Sequence, residues 1–333
     1  MIDLGAFHKK DHEVGFKEAL AWTSVWVFFS LATWLFIYFF GEKIHGPSDF
    51  KALSELVEKY AHPIQLIDGD FEASLAIYRK NLALEYLTGY IVEYSLSIDN
   101  IFVIVMIFYS FGVDRKYYHR VLFWGILGAI VMRFFFIFIS AALIQQFDWI
   151  LVFFGLLLIF TGIKMYLERN KDQRIDTNDH PVIKFTSRFF AVDREYVGPK
   201  FFLRKDGKLF MTSLFVVLLV IEFSDVIFAV DSVPAIFSIT KDPYIVYFSN
   251  IFAIIGLRSL FFLLINILEK FRYLHIGLSV LLTFVGVKMI THYFHLFEIN
   301  TMQSLLIILG ILSISILASV LIPAREKISP KKF

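Results

Sequence analysis

The chain has 333 residues, of which 58% are hydrophobic and 18% aromatic, with 40 phenylalanines; so large an apolar share marks a polytopic membrane protein rather than a soluble domain. A net charge of +2, its basic residues dispersed between apolar spans, argues against a nucleic-acid-binding surface. The absence of cysteine excludes disulfides, thiolate metal sites and a cysteine nucleophile, and leaves the redox compartment unread.

A bilayer span needs about 20 mainly apolar residues. Residues 1–20 precede a first span at 21–40, which is too long for a signal-peptide core and lacks a small-residue cleavage site. The polar segment 41–82 carries His62-Pro63 and Asp68-Gly69 as turn signals. Spans follow at 84–111, 120–143 and 149–167. The charged linker 168–208 contains VIKFTSRFFAV, which reads as an amphipathic interfacial helix, and leads into FFLRKDGKLF, a hairpin with Asp206-Gly207 in its turn. Further spans lie at 209–239, 244–268 and 273–293, with a final one at 304–322 and a tail at 323–333. The expected fold is therefore all-α, with about eight transmembrane helices.

Eight spans place both termini, 112–119, 168–208 and 269–272 on one side of the membrane. Counting Arg120 at its boundary, that side holds 22 lysines and arginines against 6 on the other. Without the two long segments the counts are 12 against 1. The positive-inside rule makes the richer side, and so both termini, cytoplasmic.

Self-comparison shows a duplication. FDWILVFFGLLLIFTGIKMYLE (147–168) is echoed by FRYLHIGLSVLLTFVGVKMITH (271–292), which sets Lys164 over Lys288. GAIVMRFFFIFI and AIIGLRSLFFLL set Arg133 over Arg258, and each Arg span follows an acidic one, EYSLSIDN or EFSDVIFAVDS. A three-helix unit, 84–167, is thus repeated at 209–293, and an odd number of spans inverts the second copy. Secondary transporters use this architecture, with sites near the midplane between repeats. The acidic spans align in two registers: Glu93 and Asp99 over Asp225 and Asp231, or Asp99 over Asp225.

Each ionised side chain at the bilayer centre costs roughly 2.5–3.5 kcal/mol. Glu93, Asp99, Glu222, Asp225 and Asp231 with Arg133 and Arg258 therefore represent something on the order of 15–25 kcal/mol unless they meet each other, water or an ion. Five acids against two arginines leave an excess of negative charge that ion pairing alone does not remove. Lys164 and Lys288, near their span ends, are expected to snorkel to the interface. Hard oxygen ligands without cysteine or a mid-span histidine point to a divalent cation such as Mn²⁺, Mg²⁺ or Ca²⁺, with Ser97, Asn100, Ser224 and Ser232 as weaker oxygen donors. His275, His292 and His295 read as ordinary interfacial histidines. No HExxH, GxSxG or P-loop pattern occurs, so an enzyme is not expected.

Glu222 and Asp225 share a helix face, whereas Asp231 is rotated about 120° from Asp225 on a regular helix. Pro234 cannot donate to the carbonyl of Val230, so a break around 230–234 is expected to turn Asp231 inward and free that carbonyl as a ligand.

At IEFSDVIFAVDSVPAIFSITKDP and SNIFAIIGLRSLFFLL, and in the first half at LTGYIVEYSLSIDNIFV, FWGILGAIVMR and FDWILVFFGLLLIFTGIKM, the chain resembles the TerC family of bacterial membrane proteins, including its Alx-type manganese exporter branch. The similarity runs over roughly 16–40 and 82–322. It implies two inverted three-helix repeats in a bacterial inner membrane and export of Mn²⁺ from the cytoplasm, sometimes linked to metalation of exported enzymes. The family's acidic motif falls on Glu93, Asp99, Asn100, Glu222, Asp225, Asp231 and Ser232, and its arginine on Arg258, with Arg133 the repeat partner. Tellurite resistance, attached to the family by name, finds no support in these ligands. Three departures stand out: MIDLGAFHKK begins where a further N-terminal span of the family would end, Tyr94 replaces a common lysine, and 41–82 is an insertion.

The sequence thus leads to Mn²⁺ export by alternating access at a midplane carboxylate site, with proton exchange as a natural coupling. Its partners are a divalent metal ion and the lipid bilayer, and no prosthetic group is implied. The alternatives are a membrane partner that supplies Mn²⁺ to exported enzymes without transporting it, and a Ca²⁺/proton exchanger.

Overall fold

The computed structural model describes residues 15–147, 149–168, 192–193, 200–205, 208–265, 273–296 and 299–322. The interfacial helix expected at 182–192 lies outside these residues except for Val192, and the hairpin turn at 206–207 lies outside them entirely. So do the first 14 residues and the side chains of Asp99 and His275.

Long apolar runs close their backbone hydrogen bonds within themselves because a bilayer offers no alternative. The chain forms α1 (Phe16–Phe40), a 3-10 turn at Gly41–Ile44, the short α2 (Phe50–Lys59), then α3 (Phe71–Ser110), α4 (Arg115–Gln146) and α5 (Ile150–Glu168). After β1 (Val192–Asp193), β2 (Phe202–Lys205) and β3 (Lys208–Thr212) come α6 (Ser213–Phe237), α7 (Pro243–Leu264), α8 (Leu274–Tyr293) and α9 (Thr301–Leu321). Among the described residues eight helices are long and apolar enough to cross a membrane, all but α2. The chain is an all-α polytopic membrane protein. Among the described residues one small sheet pairs β3 antiparallel with β2, Phe202 opposite Met211, and parallel with β1.

Several starts are set by side chains that satisfy orphan N–H groups. Asp70 accepts from the Ala73 N–H at 2.9 Å and starts α3. Asp242 accepts from Tyr244 at 2.9 Å, with Pro243 in the first turn of α7. Asn300 and Gln303 form a reciprocal capping box on α9.

Three expectations need correction. Residues 71–82, expected ahead of the span at 84–111, are the first turns of α3, because Asp70 caps the helix well before the apolar run begins. Residues 209–212 are strand, and Thr212 caps α6 through the Phe215 N–H. Third, α6 is unbroken through 230–234. Pro234 sits in its last turn, where only the Val230 carbonyl loses a donor, and Ser238 N–H returns to the Pro234 carbonyl at 3.1 Å.

Packing runs mainly between the first helix triplet and the second. α5 lies along α8, α3 against α7, and α4 against α6 and α7, while α1 covers α3 and α7 and α9 leans on α8. The α5–α8 crossing is close enough that a Cβ on Gly155 would lie 2.9 Å from the Gly286 carbonyl, and one on Gly162 would lie 2.7 Å from the Ser279 carbonyl. Small residues let membrane helices approach this way. As α5 is followed upward α8 is followed downward, so the two run antiparallel. Phe28, Phe135 and Phe160 are exposed on the outside of the bundle, as a surface facing hydrocarbon requires.

Candidate functional site

The charged residues on the membrane helices do not form one pool. Arg133 of α4 is the hub of the largest group and is fully buried. Its Nε donates to Asp225 Oδ2 at 3.4 Å and its Nη2 to Asp225 Oδ1 at 3.2 Å, the fork grip that guanidinium makes on a carboxylate. Its Nη1 donates to Glu93 of α3, to Ser232 Oγ at 3.1 Å and to Asn250 Oδ1 of α7 at 3.1 Å. One cation thus draws together α3, α4, α6 and α7. Glu93 is also fully buried, and its second oxygen has no hydrogen-bond partner among the described residues. The Asn250 amide nitrogen is in the same position.

The remaining acids lie apart from that hub. Glu222 shares the α4-facing side of α6 with Asp225, and its carboxylate rests on Gly128, where a Cβ would come within 2.0 Å of Oε1. Asp231 is turned away, as the helical period requires, and accepts from Thr161 Oγ1 of α5 at 3.0 Å. Among the described residues no three His, Asp or Glu side chains are gathered closely enough to hold a metal ion. The expectation that a break turns Asp231 inward toward Glu222 and Asp225 is corrected accordingly: an unbroken α6 distributes the three acids between α4 and α5. Asn100 is buried, as are Ser97 and Arg258. Lys164 is exposed. Lys288 does not reach freely outward; it lines a cavity at the end of the bundle that carries 41–70.

A second polar network, not anticipated from the sequence, occupies that end. Glu85 of α3 is fully buried. Its Oε1 meets His62 Nδ1 at 2.9 Å and Asn81 Nδ2 at 2.7 Å, and its Oε2 accepts from Thr240 Oγ1 at 2.6 Å. Asp242 N–H donates to Thr240 at 3.2 Å, the Asp242 carboxylate lies 3.5 Å from His45 Nε2, and His45 Nδ1 contacts the Tyr78 hydroxyl at 3.1 Å. Burial lifts Asp242 to about 7, only partly offset by the charge of His62. Burial works against charging His62, but the Coulombic pull and hydrogen bond of Glu85 outweigh it and raise the imidazole pKa. His45 falls to about 4 through burial, helped by His62 and Lys59.

Sequence reasoning missed Asn250, Thr161 and Gly128 around the midspan acids, and His62, Asn81, Glu85, Thr240 and Asp242 at the end of the bundle. A signal existed for Asn250, an amide in the apolar span SNIFAIIGLRS. None existed for Gly128, whose role is to leave room for Glu222.

Comparison with known proteins gives one family match, the integral membrane protein TerC family, over residues 78–327. The chain is 39% identical to an uncharacterized membrane protein of Myxococcus xanthus, STKORF319, over 99% of this chain and 92% of that one. It is 39% identical to Alx of Escherichia coli K12, named as a candidate membrane-bound redox modulator, over 90% of this chain and 84% of that one. The like-named protein of Salmonella typhi is 46% identical over 70% and 71% of the respective chains. No solved structure matches.

Proposed function

The chain belongs to the TerC family of integral membrane proteins, and from that premise we propose that it is a divalent-cation transporter that moves Mn²⁺ out of the cytoplasm of a bacterial cell across the inner membrane, with both termini inside. One observation carries the reading: Arg133 stands between Glu93 and Asp225, carboxylates from the two helix triplets, where an ion bridging the halves would sit. Arg133 is then the internal counter-cation of the ion-free site. A divalent ion that enters competes with the guanidinium for Glu93 and Asp225, and as Arg133 withdraws these acids gain a harder, doubly charged partner. Asp99, Asn100 and Ser232 supply further oxygens, and Glu222 and Asp231 flank the path.

Alternating access suits the packing. Under the duplication, Gly155 corresponds to Ser279 and Gly162 to Gly286, so the two tight α5–α8 contacts, 155 with 286 and 162 with 279, exchange with each other. Such an exchange is what a two-fold axis in the membrane plane produces. Rocking one triplet against the other alters the cross-triplet contacts around Arg133 while each helix stays whole. The relatives' redox name does not imply thiol chemistry in this chain, which has no cysteine.

The test is Mn²⁺ flux into inside-out proteoliposomes. Wild-type protein is expected to transport, and Asp99→Asn, Asp225→Asn and Glu93→Gln to reduce the rate at least tenfold. Normal transport by Asp99→Asn and Asp231→Asn together would show that the site is misassigned. Preference for Ca²⁺ would identify an exchanger of that ion, and no flux of any cation would favour a non-transporting metal-delivery partner.

A further inference from the structure

At the end of the bundle that carries 41–70, a cavity of about 500 Å³ opens between the 61–65 turn, the 238–241 turn, the end of α8 and the start of α9. Lys241, Lys288, His62 and His292 line it, and among the described residues no aspartate or glutamate does. Lys288 is half-buried on a membrane-length helix and has no ion pair within 4 Å among the described residues. The acid nearest in role, Glu85, is already committed: His62 and Asn81 take one oxygen and Thr240 the other. A half-buried ammonium on a membrane-spanning helix is costly, Glu85 acts on Lys288 only as a charge beyond ion-pair distance, and such groups mark candidate functional sites.

The rim adds donors of the same preference. Asn300 and Gln303 use their side-chain oxygens in the α9 capping box, which leaves both amide NH₂ groups free of that role. The 21-residue α9 directs the positive end of its dipole toward the same space. Leu151, Phe237 and Met289 make part of the wall apolar, so the cavity has room for more than a bare ion. Charge, donors and volume together describe a receptor for an anionic oxygen group carrying an organic portion or water.

We propose that this cavity is a phosphate-binding site in which Lys241 and Lys288 hold the anion. The phosphate comes either from the head group of an anionic phospholipid in the adjoining leaflet or from free phosphate in solution. The site is separate from the Arg133 hub, and it stands whether or not the cation-transport reading holds.

The experiment uses the full-length chain, purified and delipidated in detergent. Equilibrium dialysis with radiolabelled inorganic phosphate at constant ionic strength reads the free anion, and native mass spectrometry after adding phosphatidylglycerol or phosphatidylcholine reads the lipid. Saturable phosphate binding at one per chain assigns free phosphate. Retention of phosphatidylglycerol but not phosphatidylcholine, without phosphate binding, assigns the lipid. In either case Lys288→Met is expected to weaken binding at least tenfold and Lys288→Arg to keep it within about threefold, since the charge survives. Lys241→Glu, on a turn outside the helices, should abolish binding and provides the decisive variant if Lys288→Met does not fold. The proposal is overturned if the wild type binds neither probe, or if Lys241→Glu binds as well as the wild type.

Discussion

Two buried polar networks lie about 12 Å apart along α3, eight residues at 1.5 Å each: one around Arg133 and Glu93, the other around Glu85 and His62. In the first a strong cation is shared by two acids from different helix triplets, with one Glu93 oxygen left over. In the second both oxygens of Glu85 are fully engaged by neutral or weakly basic partners, and three elements are fastened together. A carboxylate saturated like that of Glu85 resists change, even though His62 Nε2, His45 Nε2 and Asp242 Oδ2 around it lack hydrogen-bond partners among the described residues. A hub whose acid keeps a spare acceptor beside a removable cation instead tolerates a competing ion. That contrast separates a tie from a site.

The most severe way to break the comparison is Arg133→Met. It leaves Glu93 and Asp225 buried without their counter-charge, and removing one partner of a buried ion pair costs roughly 3–5 kcal/mol. Thermal unfolding in detergent should show this loss, and Arg133→Met with Glu93→Gln should recover part of it, because one uncompensated charge is then gone. Wild-type stability in Arg133→Met would mean that the acids have another counter-ion.

How far the sequence exposed each network follows from where its charges sit. Glu93, Asp225 and Arg133 stand out because an ionised group inside an apolar run is anomalous by itself, and the repeated Arg and Lys spans placed them at matching depths. Which acid meets which base was not legible. The choice depends on the side of α4 that α6 packs against, and on Gly128 leaving space for Glu222. Asp231 illustrates the limit: its rotation from Asp225 was correctly read from the helical period, but the break meant to correct that rotation was not needed, because Thr161 on α5 provides a partner where it already points. The Glu85 network was invisible for the opposite reason. His62 lies in a polar turn and Glu85 near the start of a span, where such residues are unremarkable, and only tertiary packing buries them.

A moderate effect is expected from Glu85→Gln, which removes the charge that His62 and Thr240 both rely on. Hydrogen bonds to charged groups contribute about 1.5–3 kcal/mol, and a loss of that size is expected in unfolding. The same variant tests the pH dependence of the tie. His62, with its raised pKa, contributes fully below the ordinary histidine value of about 6.5 and is lost as pH rises through its folded value. Asp242, held at about 7, also loses stability as pH rises, between its ordinary value of about 4 and 7. His45, lowered to about 4, acts in the opposite sense over about 4 to 6.5 and offsets Asp242 there. The net expectation is a tie that loosens from about pH 6.5 upward. Hydrogen exchange across 45–62, corrected for intrinsic rates, should be faster at pH 8 than at pH 6 in the wild type, and the difference should shrink in Glu85→Gln, where the burial of Asp242 alone still weakens the tie up to about pH 7. Equal slopes in both proteins would remove Glu85 from control of His62.

The smallest effect sharpens the contrast most, because it separates stability from transport. Thr161→Val keeps the shape of the side chain and deletes only the hydroxyl that donates to Asp231. Asp231 is half-buried and can recruit water in its place, so the stability loss should stay near 0.5–1.5 kcal/mol. If Asp231 flanks the ion path, its carboxylate without that hydroxyl is less well aimed, and the Mn²⁺ concentration for half-maximal flux should rise a few-fold at nearly unchanged maximal rate. A substitution acting only on packing would change the unfolding temperature and leave that concentration where it was. The Glu85 network should show the reverse pattern, with Thr240→Val lowering stability and leaving half-maximal Mn²⁺ unchanged. Should Thr161→Val and Thr240→Val give the same pattern, the distinction between tie and site would be lost, and the acids of both networks would have to be treated as one structural framework.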